Sequence, residues 1–282
     1  MNRRRIVVAL LAVASAVFLA VEISDSWDEL DGAQLPGAGW LVLAIGVLAV
    51  GQVVIGEAMA ALPAEPTSAS DRRSAFHLTQ PAKYVPAGIA QAAGVVVVLV
   101  GRGASRSGAL AVWVVHTGSL VVAGLSVGLV AAPALGWSPA VVVPGILVLA
   151  VISRPVLGPV FTRVGGLFDV ALEVPSTPAL MRCLTAAIVG VALHGLGFAV
   201  LVHGASLDVG VVEAVAAYTL AFGVSVATPL PGGLGAREAI IVGVLSGTQA
   251  TLIVPVVLVR LILIGVEVLL LLAIRARTRS RA

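Results

Sequence analysis

The chain has 282 residues, 59% of them hydrophobic and only 11% charged, with a mean hydropathy of +1.11. A water-soluble domain carries roughly 25% charged side chains, so this composition excludes an ordinary soluble globule. Continuous apolar runs and an aromatic content of only 4% also argue against a transmembrane β-barrel, leaving an all-α, polytopic integral membrane helical bundle.

The formal net charge of +3 does not mark a nucleic-acid binder. The arginines stand at the chain ends and between apolar runs (Arg3 to Arg5, Arg72 and Arg73, Arg102 and Arg106, Arg154 and Arg163, Arg275 to Arg281), which is the charge bias of cytoplasmic loops. Arg3 to Arg5 precede the first apolar run, residues 6–23. Its length favours an uncleaved helix leaving the cytoplasm over a signal peptide ending near Ala14 to Ala16. The following loop, with Asp25, Asp28, Glu29 and Asp31, is then external, and residues 39–61 return to a cytoplasmic loop holding Arg72 and Arg73. Residues 75–101 lie between two arginine pairs on the same side and are too short to cross twice, which would take about 40 residues. Pro81 and Pro86 break any helix there, so a re-entrant hairpin from the cytoplasm is expected.

Residues 108–132 cross outward and 139–153 come back, and 154–178 form a cytoplasmic, partly helical connection. Residues 180–202 cross outward again. Residues 210–228 enter from outside, but the stretch 236–249 is only 14 residues long, or about 21 Å of helix. Thr228 to Gly235 interrupts the two, which predicts a second broken element of opposite orientation. The last span, 251–273, ends inside at the arginine tail. The expectation is one transmembrane domain, residues 1–282, with about six full spans and two broken or re-entrant elements. Its halves, 1–153 and 179–282, would be arranged as inverted repeats, with both termini cytoplasmic. Two interrupted helices in opposite halves point to a transporter-like binding site between them.

Chemistry-bearing residues gather at the two interruptions. In Pro229-Leu-Pro-Gly-Gly-Leu-Gly-Ala-Arg-Glu-Ala239, Gly232, Gly233 and Gly235 precede a helix start whose free N–H groups and positive dipole end suit an anion. Arg237 adds a fork of donors suited to phosphate. The plainer alternative is that Glu238 complements the helix dipole and pairs with Arg237. The other stretch, Gln80-Pro-Ala-Lys-Tyr-Val-Pro-Ala-Gly88, holds the only lysine, Lys83, beside Tyr84, with Pro86 suited to open the next helix. It makes either a second anion-binding corner or an interfacial lysine that snorkels. Arg260 and Glu267, seven residues apart in the last span, share a face and are expected to pair with each other or with Glu238 and Arg237. His116 and His194 read as hydrogen-bonded core residues, and Glu57 and Glu213 as interfacial. Gly51, Gly94 and Gly118 read as close-packing positions. No metal-ligand spacing is present, and no cofactor is expected.

These two motifs resemble those of the lysylphosphatidylglycerol synthase transmembrane-region family, the flippase-like membrane domains. Residues 78–91 are similar to its S-Q-x-x-K-Y-x-P-G-x-x-W-Q stretch and residues 228–239 to its P-x-P-G-G-L-G-x-R-E stretch. Pro81 and Ala87 replace commoner residues, and no tryptophan precedes Gln91. The resemblance implies a prokaryotic cytoplasmic (inner) membrane protein handling an anionic phospholipid or a polyprenyl-phosphate glycolipid. By position it carries over Lys83, Tyr84, Pro86, Gly232, Gly233, Gly235, Arg237 and Glu238. The expected function is a lipid translocase or lipid-binding transporter. The alternative is a non-transporting partner that presents a lipid to a separate glycosyltransferase or aminoacyltransferase. Relatives that modify lipids do so through a separate soluble domain. No nucleophile–base pair or phosphate loop occurs here, so no enzyme activity is expected of this chain.

Overall fold

Long apolar runs satisfy their own backbone as helices, and prolines and small-residue clusters decide where those helices stop. The computed structural model describes residues 35–84, 90–149, 154–228, 236–245 and 252–279, and every regular element among them is helical. In chain order they are α1 (Ala38–Ala60), α2 (Ala69–Thr79, continued by a 3-10 turn, Gln80–Tyr84), α3 (Ala90–Val100), α4 (Arg106–Ala131), α5 (Val142–Leu149), α6 (Arg154–Phe168), α7 (Thr177–Gly204), α8 (Val211–Ala227), α9 (Ala236–Val244) and α10 (Ile253–Arg279).

Among the described residues, four helical segments are long and apolar enough to cross a membrane: Ala38–Ala60, Arg106–Leu135, Thr177–Gly204 and Val254–Arg277. They fall on the expected spans 39–61, 108–132, 180–202 and 251–273. The expected first span, 6–23, lies outside the described residues. The stretch 139–153 is described only as a 3-10 turn, Pro139–Val141, and the eight-residue α5. The connection 154–178 is helical over α6. Much of the outer surface is apolar, with Val42, Leu43, Val143, Leu147, Leu269 and Leu272 exposed. A lipid solvent accommodates such a surface and water does not.

Glycines bring two helix pairs into backbone contact. In the antiparallel α1–α7 pair, a Cβ on Gly190 would stand 2.5 Å from Ile55 Cγ1, and one on Gly51 would stand 3.0 Å from the Gly190 carbonyl. In the antiparallel α4–α8 pair, a Cβ on Gly124 would lie 2.6 Å from both N and Cα of Gly223. Small residues at such crossings let backbones approach closely enough for dispersion contacts to hold helices together in lipid. Gly94 packs in the same way against Thr79, 3.0 Å from its Cγ2. Gly118 does not serve the expected role: nothing lies within 4 Å of a Cβ built there.

Arg72 and Arg73 do not lie in a loop but in α2, which starts at a capping box made by Ser68 and Asp71. Arg72 donates through Nη2 to the Ala60 carbonyl at 3.0 Å and also bonds Thr67. It thereby satisfies a carbonyl that the end of α1 leaves open. Arg73 pairs with Glu57, Nη2 to Oε2 2.6 Å, so Glu57 is tied down and not merely solvated. The Ser68 hydroxyl, the Ser68 N–H and then Arg102 hold the Asp71 carboxyl below its ordinary value. Glu213 likewise has a structural partner, accepting from the Gly210 N–H at 3.0 Å at the start of α8.

Arg102 Nη1 reaches both the Asp71 carbonyl, at 2.8 Å, and its carboxylate, at 3.0 Å. The chain leaving at Asp71 therefore comes back to the same end of the bundle by Arg102. This contact makes a prediction about sidedness. In a Cys183→Ser background, Ser70→Cys and Arg106→Cys, both at exposed positions, are expected to react with an impermeant maleimide from one and the same face of intact vesicles. Labelling from opposite faces would make residues 75–101 a complete crossing.

Candidate binding site

The 3-10 turn after α2 and the start of α9 meet between the long helices, where they border a cavity of about 160 Å³. About 10–15 Å³ of such space holds one water, so there is room for a polar headgroup. Its polar wall brings together Lys83 and Tyr84 from the turn, Arg237 and Glu238 from α9, and Arg260 and Glu267 from α10. Gln52 of α1, His116 of α4 and His194 of α7 complete it. Gln52 stands 14 residues into α1 and Glu267 14 residues into α10, each about 21 Å along its helix. The site thus sits deep in the bundle.

Glu267 is the anchor of the first half of the site, at 3% exposure. Lys83 forms an ion pair with its Oε1, Gln52 Nε2 donates to the same oxygen at 3.4 Å, and the Tyr84 hydroxyl donates to Oε2 at 3.4 Å. Lys83 also donates to Gln80 Oε1 at 3.1 Å. A carboxylate at this depth is tolerated because every oxygen is paired. Lys83 is therefore held inside by a partner on the last helix and is not simply snorkelling.

The second half is built differently. Arg260 Nη1 bonds Glu238 Oε1 at 3.0 Å, so Arg260 and Glu267 take separate partners and do not form the pair within one helix. Nor does Glu238 pair with its neighbour Arg237, since consecutive side chains on a helix do not face each other. Arg237 turns back onto α8. Its guanidinium lies 5.1 Å from the Phe222 ring and 5.7 Å from the Tyr218 ring. It also makes long hydrogen bonds to Ser225 Oγ (3.4 Å) and Tyr218 OH (3.5 Å). Among the described residues Arg237 is in no ion pair. It is a cation held by ring faces and hydroxyls, with its charge uncompensated by a carboxylate.

Pro86, Gly232, Gly233 and Gly235 lie outside the described residues. Of the two histidines expected in the core, His116 Nε2 bonds the Ile55 carbonyl at 3.2 Å. Neither ring nitrogen of His194 meets a partner at full hydrogen-bond geometry, a weak backbone contact to Leu48 aside. Sequence reasoning missed Gln52, Tyr218 and Ser225. Gln52 is detectable as an amide inside an otherwise apolar stretch of α1, and Tyr218 as one of only two tyrosines in the chain. Both tyrosines end up against the charged cluster. Among the described residues no cluster of His, Cys, Asp or Glu is disposed to hold a metal ion. The chemistry available is binding of an anion by Arg237, with Lys83 and Arg260 nearby. No protein-family model matches the chain, and no curated protein matches it.

Proposed function

We propose that this chain is a lipid-handling membrane protein of the flippase-like kind, which binds the anionic headgroup of a phospholipid or polyprenyl-linked glycolipid in the cavity beside Arg237. One observation carries the reading. Among the described residues, Arg237, at the start of a helix that begins partway through the bundle, lacks a carboxylate partner in a cavity bordered also by Lys83 and Arg260. An ionised side chain at such depth is costly, and where it occurs it commonly marks a substrate or ion pathway. The resemblance of residues 78–91 and 228–239 to the flippase-like membrane domains agrees with this reading. So do two interrupted elements that start from opposite ends of the bundle, as in inverted-repeat transporters. In this proposal residues 75–101 and 210–249 are re-entrant, six further segments cross a prokaryotic cytoplasmic membrane, and both termini are cytoplasmic.

The test is binding of anionic lipid to the purified protein, with a zwitterionic lipid as control. Arg237→Gln is expected to weaken anionic-lipid binding about tenfold or more, because a hydrogen bond to a charged group contributes about 1.5 to 3 kcal/mol. Arg237→Lys is expected to recover only part, since an ammonium keeps the charge but loses the two-pronged geometry. Equal affinity in wild type and Arg237→Gln would reduce the arginine to a structural element of the α8–α9 turn. Crossing of labelled lipid in reconstituted liposomes then separates a translocase from a protein that only presents lipid to a partner enzyme.

A further inference from the structure

Two buried acceptors border the cavity without a donor. Glu238 engages Arg260 through one carboxylate oxygen, Oε1, at 3.0 Å from Nη1. Its other oxygen, Oε2, is buried and has no hydrogen-bond partner among the described residues. His194 is 2% exposed and stands edge-on to Phe222, with ring centroids 6.2 Å apart. Neither of its ring nitrogens has a partner at full hydrogen-bond geometry among the described residues. Its weak backbone contact is with Leu48, inside α1. The Leu48 N–H is committed to the helix ladder, so only the carbonyl can take a further bond. The ring's N–H therefore turns to that carbonyl. At pH 8 the neutral imidazole is the ordinary form, and its second nitrogen is then an acceptor. Both side chains line the cavity together with Arg237.

We infer that the site selects, among anionic headgroups, those that also carry hydroxyl groups, which donate to Glu238 Oε2 and His194 while Arg237 holds the phosphate. This inference rests on the anion-site reading above and names its ligand class, a phosphodiester of a polyol or a sugar. The phosphate of a diester offers acceptors only, so it answers the guanidinium and leaves both protein acceptors unmatched. A buried acceptor without a donor is expensive, and a site built around such acceptors rejects an analogue that lacks the matching hydroxyl. Arg237 and Glu238 are consecutive on α9, and consecutive side chains do not face each other. A headgroup that meets both must carry its hydroxyls some atoms away from its phosphate, as a glycerol or sugar ester does.

The experiment measures binding to the full chain, purified in neutral detergent at pH 8, of short-chain lipids with identical acyl groups. Phosphatidylglycerol carries headgroup hydroxyls, phosphatidylmethanol has the same phosphodiester charge and none, and phosphatidylcholine is a zwitterion without a donor. Phosphatidylglycerol is expected to bind at least about tenfold more tightly than phosphatidylmethanol. Because these two carry equal charge, their affinity ratio reads hydrogen bonding and not electrostatics. His194→Leu is expected to shrink the ratio by weakening phosphatidylglycerol alone. His194→Gln, which keeps a side-chain acceptor, is expected to restore part of it. Glu238→Gln keeps an acceptor for Arg260 but puts a donor where Oε2 stood, and is expected to shrink the ratio too. Equal loss of both lipids in His194→Leu would mark a packing role and overturn the part assigned to His194. Equal binding of phosphatidylglycerol and phosphatidylmethanol to the wild-type chain, with both tighter than phosphatidylcholine, would overturn this inference while leaving the anion site standing. Phosphatidylmethanol binding no better than phosphatidylcholine would overturn the anion site and this inference together. Glycerophosphoglycerol, the same headgroup without acyl chains, is expected to bind far more weakly than phosphatidylglycerol. Equal affinity would make the ligand a soluble phosphodiester and overturn the lipid as its source.

Discussion

Glu267→Leu is expected to destabilise the folded protein by about 3 kcal/mol, because it leaves the Lys83 ammonium inside the bundle without its carboxylate. The leucine itself is not the problem: α10 is apolar on either side of the site, and Glu267 is only 3% exposed. The cost lies in the partners left behind, since Lys83, Gln52 and Tyr84 all direct polar atoms at the same two oxygens. The double variant Lys83→Met, Glu267→Leu removes both charges and is expected to recover most of the loss, since replacing a whole buried pair by apolar groups is often neutral or favourable. Thermal or chemical unfolding of wild type, both single variants and the double variant in detergent gives the coupling directly. A double variant as unstable as the worse single variant would show that the pair does not act as a unit.

The second large effect is expected at the α4–α8 crossing, where a single methyl group on Gly124 has nowhere to go. Its position is 2.6 Å from backbone atoms of Gly223 and 2.8 Å from the Thr219 carbonyl. Backbone cannot rotate aside as a side chain can, so the helices must separate. Overpacking of this kind costs about 1 to 3 kcal/mol or more, and Gly124→Ala is expected at the upper end. Gly118→Ala, six residues earlier on the same helix, meets nothing within 4 Å. It is expected to be neutral or to stabilise by up to about 1 kcal/mol through helix propensity. The opposite signs make the comparison informative: if the two alanine variants unfold alike, the crossing is looser than the distances require. Separation at this crossing should also disturb the site, because Tyr218, Phe222 and Ser225 on α8 hold Arg237.

The helical class, the bounds of four long apolar helices and the positions of both interruptions were legible in the residue string, because each depends on local chemistry. Apolar length selects α1, α4, α7 and α10, while α2 gives way to a 3-10 turn that holds Pro81 and α8 ends at the extended Thr228, just before Pro229. Spacing along α10 also brought Arg260 and Glu267 to one face. It could not say which neighbours that face meets. Lys83 and Glu267 are 184 positions apart in sequence, and Arg260 finds Glu238 on another helix. Arg72 reads as a loop residue until α2 is seen folded back beneath the end of α1, where an open carbonyl awaits its guanidinium. Gly51 and Gly118 look alike in sequence, and only the neighbouring helix separates a crossing point from a residue facing open space. The place of Arg237 outside the ion pairs among the described residues has the same origin. The ionisable residues were all visible in the chain, but which of them meet is fixed by which helices pack together, through contacts that a one-dimensional pattern does not contain.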